Sequence, residues 1–256
     1  MDLQIAGEVA VVVGGARGLG RAIAGAFAAE GAKVAIVDRE PADFAAQHLA
    51  DVAEYDAVRA AMERIQGEFG RVDHVVFAAA VGSGKFGFPF WNLEPGDWER
   101  VLRVNLIGAV NVAHAFAPGM VARKAGTMLF LASVAGQIGS QTDPPYSASK
   151  AGVINFMQCA AKDLAPFGVR VNALNPGMVK TALNRSVFES WASSLPEAER
   201  PSYDAWASEK IGKLVPLGRW QTPEDIAAMS VFLASRRAGN VTGQTINVDG
   251  GYVMHW

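Results

Sequence analysis

Short, nearly unbroken apolar runs alternate with longer amphipathic stretches along most of this chain, and that alternation limits what it can fold into. The runs are Val9–Val13, Lys33–Val37, His74–Ala79, Gly126–Ala132, Val169–Leu174 and Gln244–Val248. Between them the spacing of apolar residues predicts helices over Leu19–Glu30, Tyr55–Gly67, Glu99–Ala122, Tyr146–Phe167 and Pro223–Ala234. A strand covered by helices on both faces has no polar face, so it reads as a continuous apolar run. Strands of that kind separated by helices predict βαβ units with right-handed crossovers, and therefore a doubly wound α/β fold. Its parallel sheet would carry helices on both faces. One stretch, 183–217, breaks the pattern: it carries Pro196, Pro201 and Pro216, mixes aromatic with charged residues, and reads as irregular. With no linker or low-complexity segment, a single domain over residues 1–256 is expected.

Bulk properties exclude several classes of function. Half of the residues are hydrophobic (50%), enough for a large core. Lys and Arg number 23 against 25 Asp and Glu, a formal charge of −2, so neither nucleic acid nor an anionic membrane is an expected partner. The most apolar stretches are interrupted by Arg, Asn, Gly or Pro, and no membrane span is expected. Cys159 is the single cysteine, which excludes an internal disulfide. The first residues show no basic n-region of a secretory signal, and a cytoplasmic location is expected. His48, His74, His114 and His255 show no metal-ligand spacing, so no metal site is expected.

The first apolar run leads into Val13-Gly14-Gly15-Ala16-Arg17-Gly18-Leu19-Gly20. Glycines at such a turn let backbone N–H groups approach a pyrophosphate, and the helix that follows presents its positive end to the charge. The spacing is Gly-x-x-x-Gly-x-Gly, and Gly14, Arg17, Gly18, Leu19 and Gly20 are the candidate contacts. The second run ends at Asp38, about twenty residues on, where a carboxylate can accept hydrogen bonds from an adenosine ribose and would repel a 2′-phosphate. Arg17 and Arg39 pull the other way, because two guanidinium groups can hold that phosphate. The expected cofactor is NAD, with NADP the lesser candidate.

Tyr146 and Lys150 sit four apart at the start of a predicted helix, on one face and one turn apart. An ammonium beside a phenol favours the phenolate and lowers the phenol pKa, which would let the tyrosine exchange a proton near neutral pH. Ser133 closes the apolar run before them. Asn105 lies in the long predicted helix, where a polar side chain needs a partner. No Gly-x-Ser-x-Gly elbow is present, so Ser133 is a poor hydrolase nucleophile.

In the order and spacing of these residues the chain resembles the short-chain dehydrogenase/reductase family, in its single-domain Rossmann-type form. The resemblance covers nearly the whole chain. It rests on Gly14-x-x-x-Gly18-x-Gly20, Asp51-Val52, Asn105, Ser133, Tyr146-x-x-x-Lys150, Asn175-Pro176-Gly177-Met178-Val179-Lys180-Thr181, and Val241-Thr242-Gly243-Gln244 through Val248-Asp249-Gly250-Gly251. The resemblance implies that Tyr146 is the general acid/base and that Lys150 tunes it and holds the nicotinamide ribose. Ser133 would bond the substrate oxygen and Asn105 would support a proton relay. Asp51 and Val52 would flank the adenine, and Pro176, Gly177, Val179 and Thr181 would close over the nicotinamide end. Two departures stand out. Val13 replaces the family's usual Thr, and Ala78-Ala79-Ala80-Val81 replaces Asn-Asn-Ala-Gly, leaving Ala79 and Ala80 to touch the cofactor through backbone alone.

The stretch 183–217 occupies the place of the family's substrate lid, where Phe188, Trp191, Tyr203 and Trp206 either cover the pocket or pack on the core or a neighbouring subunit. Phe86, Phe88, Phe90 and Trp91 either line the entrance or form an interface. Gln137, Gln141, Met178 and Trp191 are the candidate substrate contacts. The resemblance implies a homotetramer, with interfaces on Glu99–Ala122, Tyr146–Phe167 and the C-terminal 252–256. The expected function is hydride transfer between NAD(H) and a small secondary alcohol or ketone, such as a polyol or sugar. The alternatives are an NADPH-dependent 3-oxoacyl-thioester reductase and a non-catalytic nucleotide-binding regulator.

Overall fold

The computed structural model describes residues 2–140 and 142–254. Its strands are β1 (Val9–Val13), β2 (Lys33–Asp38), β3 (Ala46–Leu49), β4 (His74–Phe77), β5 (Gly126–Leu131), β6 (Val169–Pro176) and β7 (Thr245–Val248). They form one sheet in the order β3-β2-β1-β4-β5-β6-β7, and every pairing is parallel. Winding reverses between β1 and β4, so a crevice opens above the carboxyl ends of those strands. The helices are α1 (Gly18–Ala29), α2 (Tyr55–Phe69), α3 (Gly96–Leu102), α4 (Gly108–Arg123), α5 (Pro144–Leu164), α6 (Ala182–Ser193), α7 (Tyr203–Leu214) and α8 (Pro223–Ala234).

Burial on both faces explains the apolar runs. Successive strand side chains point to opposite faces. Val11 and Val13 join one core with Ile65 of α2, Phe116 of α4 and Met157 of α5. Ala10 and Val12 join the other with Phe27 of α1 and Ile226 of α8. Each such large side chain removed from water contributes about 1.5–3 kcal/mol. Local chemistry sets the helix ends. Thr222 and Asp225 form a reciprocal capping box at α8, with Pro223 in the first turn, and Gly70 stops α2 at φ 75°.

The structure corrects the sequence reading in four places. First, β3 is absent from the apolar runs because this short edge strand, Ala-Gln-His-Leu, buries only Ala46 well. Second, β4 stops at Phe77 rather than Ala79 because its partner β1 turns away at Gly14. β6 runs on to Pro176 because β7 pairs with it that far. Third, 183–217 is not irregular. Its prolines lie between helices rather than inside them, and the Thr181 and Ser202 hydroxyls cap α6 and α7 by accepting from Asn184 N and Ala205 N, each at 3.2 Å. Fourth, the helix expected over Glu99–Ala122 is α3 and α4 joined by a π-helical turn, Arg103–Ile107. The combined span Gly96–Arg123 is long and apolar enough to cross a membrane by composition alone. In this fold Val101, Val112, Phe116 and Met120 of that span are buried.

Candidate active site

The glycine turn after β1 is shaped by close approach. Gly14 has φ 82°, and a Cβ there would lie 2.4 Å from Ala79 N. A Cβ on Gly20 would lie 2.1 Å from the Gly14 oxygen. Above Gly18, at φ 57°, there is open space. Gly18 begins α1, and Arg17 at the cap position offers no side-chain hydrogen bond to the first turn. The uncapped N–H groups of Gly18, Leu19 and Gly20 therefore meet a bare backbone cradle, which suits a pyrophosphate. Gly14, Arg17, Gly18, Leu19 and Gly20 all line one cavity of about 650 Å³ along the carboxyl ends of the strands.

Asp38 and Arg39 also line this cavity. The Asp38 carboxylate ties the end of β2 to the turn, with Oδ2 accepting from Ala16 N at 2.9 Å and Oδ1 from Glu40 N at 3.1 Å. Each carboxylate oxygen has a second lone pair for a ribose hydroxyl. Glu40, which the sequence reading passed over, pairs with Arg17 at 3.0 Å and with Arg39 at 3.5 Å. Both arginines that argued for a phosphate thus already have a carboxylate partner.

Further along the cavity, α5 carries Tyr146 and Lys150 one turn apart, with Lys150 Nζ 5.5 Å from the centre of the Tyr146 ring. Asp143 starts this helix. Its Oδ1 accepts from Tyr146 N at 3.4 Å and its Oδ2 from Ser83 N at 2.8 Å, with Pro144 in the first turn. The Ser133 side chain hydrogen-bonds the Tyr146 phenol. Lys150 is buried and donates to the Leu131 carbonyl at 2.6 Å. Burial, not the neighbouring cation, dominates the titration here. It pushes the Tyr146 phenol up to about 12, helped by the Asp143 charge and opposed by the Ser133 hydrogen bond. Burial also pushes the Lys150 ammonium down to about 7. The lowered phenol pKa expected from the spacing is therefore overturned: a lysine turned toward a carbonyl does not offset the loss of water around the phenol.

Asn105 faces a different way. It is fully buried in the π-helical turn and is not part of the cavity wall. Its Oδ1 accepts from Val81 N at 2.8 Å, and its Nδ2 donates to Val81 O at 2.9 Å and Ser149 Oγ at 2.9 Å. This amide braces the loop after β4, where Ala78-Ala79-Ala80 supplies no polar side chain. Asp51, Val52, Ala79 and Ala80 lie on the cavity wall, as do Pro176, Gly177, Met178, Val179 and Thr181. Gln137 ends the turn after Ser133 and does not line the cavity. Gln141 lies outside the described residues, as do His255 and Trp256 of the C-terminal segment. Trp191 is not on the wall either. It packs with Phe188, Tyr203 and Trp206 in an aromatic cluster between α6 and α7. Of those four aromatics Trp206 alone reaches the cavity. Phe90 and Trp91 are exposed.

Asp143 and Lys210 are cavity residues that the sequence reading missed. Asp143 was open to detection, because Asp-Pro-Pro is a helix-start signal. Lys210 was not, because its helix was not recognised.

A family profile described as Enoyl-(Acyl carrier protein) reductase matches residues 14–253. The D-threitol dehydrogenase of Mycolicibacterium smegmatis is 34% identical over 99% of this chain and 95% of its own length. The chain belongs to the short-chain dehydrogenase/reductase family. Two further members show its range. The 3-oxoacyl-[acyl-carrier-protein] reductase FabG of Thermotoga maritima is 32% identical over 98% of this chain and all (100%) of its own. The structure of a gluconate 5-dehydrogenase from Burkholderia cenocepacia, in complex with NADP and tartrate, has a TM-score of 0.86 at 33% identity, covering 98% of this chain and 97% of that one. Like the family, this protein is an NAD(P)-dependent oxidoreductase acting on secondary alcohols and their ketones.

Proposed function

We propose that this family member is an NAD-linked dehydrogenase of small polyhydroxylated secondary alcohols, polyols or sugars, with Ser133, Tyr146 and Lys150 as its reaction centre. The observation that carries the cofactor choice is the Asp38–Glu40 end of the cavity. A 2′-phosphate there would meet the Asp38 carboxylate and a pair of arginines already engaged by Glu40. The gluconate 5-dehydrogenase structure holds NADP, so residues at this position, rather than the fold, decide between the two nucleotides. The alcohol reading draws on the D-threitol dehydrogenase relative and on a cavity wall that includes Ser140, Thr142 and Asn184.

The parts divide as follows. The first turn of α1 binds the diphosphate, Asp38 takes the adenosine ribose, and Asp51 and Val52 flank the adenine. Ala79, Ala80, Pro176, Gly177, Val179 and Thr181 hold the nicotinamide half, and Met178 borders the substrate. When bound, the nicotinamide supplies a hydride acceptor or donor for the substrate carbon. Ser133 orients the substrate oxygen, and Tyr146 takes its proton in oxidation and returns it in reduction. Lys150 holds the nicotinamide ribose and, when charged, stabilises the phenolate. Asn105 acts at a distance by fixing Val81 and α5. Helices α6 and α7 form the lid over a single catalytic domain. The same reading takes the assembly to be a cytoplasmic homotetramer built on α4 and α5, beside which Ile107 and Phe167 are exposed.

A 3-oxoacyl reductase acting on an acidic carrier would present unpaired basic groups at the entrance. Around the lid Lys180 pairs with Asp204, Lys213 with Glu209, and Arg219 with Asp225, which leaves Arg185 and Lys210 on the faces of Tyr203 and Trp206 rather than a basic patch of the size such a carrier would need. The decisive assay follows reduced-cofactor absorbance with polyols, sugars, cyclic ketones and acetoacetyl thioesters, each with NAD(H) and NADP(H). Preference for a thioester with NADPH would overturn this reading. Asp38→Ala and Glu40→Gln should each narrow the NAD preference by about tenfold or more, and an unchanged ratio in both would remove the carboxylates from that role.

A further inference from the structure

The cavity wall carries five cations, and four are already occupied. Arg17 and Arg39 pair with Glu40, Lys180 sits 3.6 Å from Asp204, and Lys150 donates to the Leu131 carbonyl. The fifth, Lys210 of α7, has no carboxylate or carbonyl partner among the described residues. Its ammonium lies 4.4 Å from the centre of the Trp206 ring. The side chain is half-buried, and loss of water lowers its pKa. A partly dehydrated cation held by a tryptophan face is costly to keep without an anion. Asn184 of α6 is on the same wall. Its Oδ1 accepts from the Tyr203 hydroxyl at 2.8 Å, which fixes the amide with its NH2 as the remaining donor.

Resting on the polyhydroxy-alcohol reading above, we propose that Lys210 and Asn184 form a carboxylate subsite, so that the preferred substrates are polyhydroxy acids rather than the neutral polyols. The wall's charge selects a carboxylate over a phosphate. Lys210 is one unpaired cation, and Asp143 is a buried carboxylate on the same wall. A dianion would meet a single unpaired cation on a wall that also carries a carboxylate, whereas a monoanion is matched by one ammonium with one amide donor. The lid also gains a function in substrate choice: α7 brings the ammonium and α6 the amide, so both helices must be in place for the subsite to exist.

The test compares matched pairs, threonate against threitol and galactonate against galactitol, with a sugar phosphate of similar length as a third arm. The readout is the ratio of kcat/KM for the acid to that for the polyol. The wild-type ratio should be at least about tenfold in favour of the acid, the scale of one charge-assisted contact in a partly dry cleft. Lys210→Met, which removes the charge at similar side-chain length, should cut the ratio about tenfold or more. Lys210→Arg keeps the charge and should hold it within about threefold. The assignment is overturned if the polyol is preferred, if the sugar phosphate is preferred, or if Lys210→Met lowers both rates and leaves the ratio unchanged. Turnover of polyols without turnover of their acids sinks the subsite alone. If neither class is turned over while a simpler ketone is, the polyhydroxy-alcohol reading falls and takes the subsite with it.

Discussion

Lys150 should weaken the fold that carries it. The wall around its ammonium lets it titrate at about 7 instead of the ordinary 10.5. Each pH unit between those values is worth about 1.4 kcal/mol, so keeping this lysine inside costs the fold about 4 kcal/mol at pH 7. Lys150→Met removes that cost, conserves most of the side-chain volume, and gives up the hydrogen bond to Leu131 O, worth about 1 kcal/mol. The variant should therefore be more stable by about 3 kcal/mol, while turnover collapses. The sign of the pH dependence is fixed. A lysine whose folded pKa lies below its unfolded value destabilises fully below about 7, and the penalty fades as the pH rises toward 10.5. The stability gap between variant and wild type should thus be widest at neutral pH and mostly gone near pH 10. Urea unfolding without added nucleotide, at fixed protein concentration and followed by tryptophan fluorescence, measures the gap. A variant no more stable than wild type at pH 7, or a gap that does not shrink between pH 7 and 10, would refute the reasoning.

The other predictions concern chemistry and the cradle. Tyr146→Phe should lower turnover at least about a hundredfold while cofactor binding, read by fluorescence titration, stays within a few-fold; near-normal turnover would remove Tyr146 from its proposed role. Because the phenol is held up to about 12, alcohol oxidation by wild type should accelerate steadily as pH climbs from 7 to 10, and a flat profile would contradict that protonation state. Gly14→Ala places a Cβ 2.4 Å from Ala79 N at φ 82°, so it should cost about 2 kcal/mol or more in urea unfolding and weaken nucleotide binding. Asn105→Ala strands the Val81 N–H and the Val81 carbonyl, leaves Ser149 Oγ only its bond to the Tyr146 carbonyl, and should destabilise by about 2–4 kcal/mol. Loss of stability without any loss of kcat in that variant would confine Asn105 to a structural role.

How much could be read from the chain depended on whether a signal was local. The strands β1, β2, β5 and β6 were legible because burial on both faces leaves apolar runs that nothing else in the chain imitates. α8 was legible to the residue because Thr222, Pro223 and Asp225 write its start into adjacent positions. The lid helices were not, because their apolar residues serve a small aromatic cluster of their own rather than a long amphipathic stripe against the sheet. Trp191 and Trp206 have similar sequence surroundings, yet one packs inside that cluster while the other reaches the cavity. No periodicity distinguishes them, since the choice is made by the crossing of two helices.

The sequence alone determined strands β1, β2, β5 and β6, helix α8, the glycine turn and the spacing of Tyr146 with Lys150, because each is set by neighbours within a few residues. Tertiary structure decided everything that depends on who is dry and who is paired. It turned Asn105 toward the loop after β4, gave Arg17 and Arg39 to Glu40, and left Lys210 without a partner. It also reversed the expected titration of Tyr146. Local spacing can place an ammonium one turn from a phenol, but the amount of water left around the two depends on helices and loops far away in the chain, and in this cavity that loss outweighs the charge.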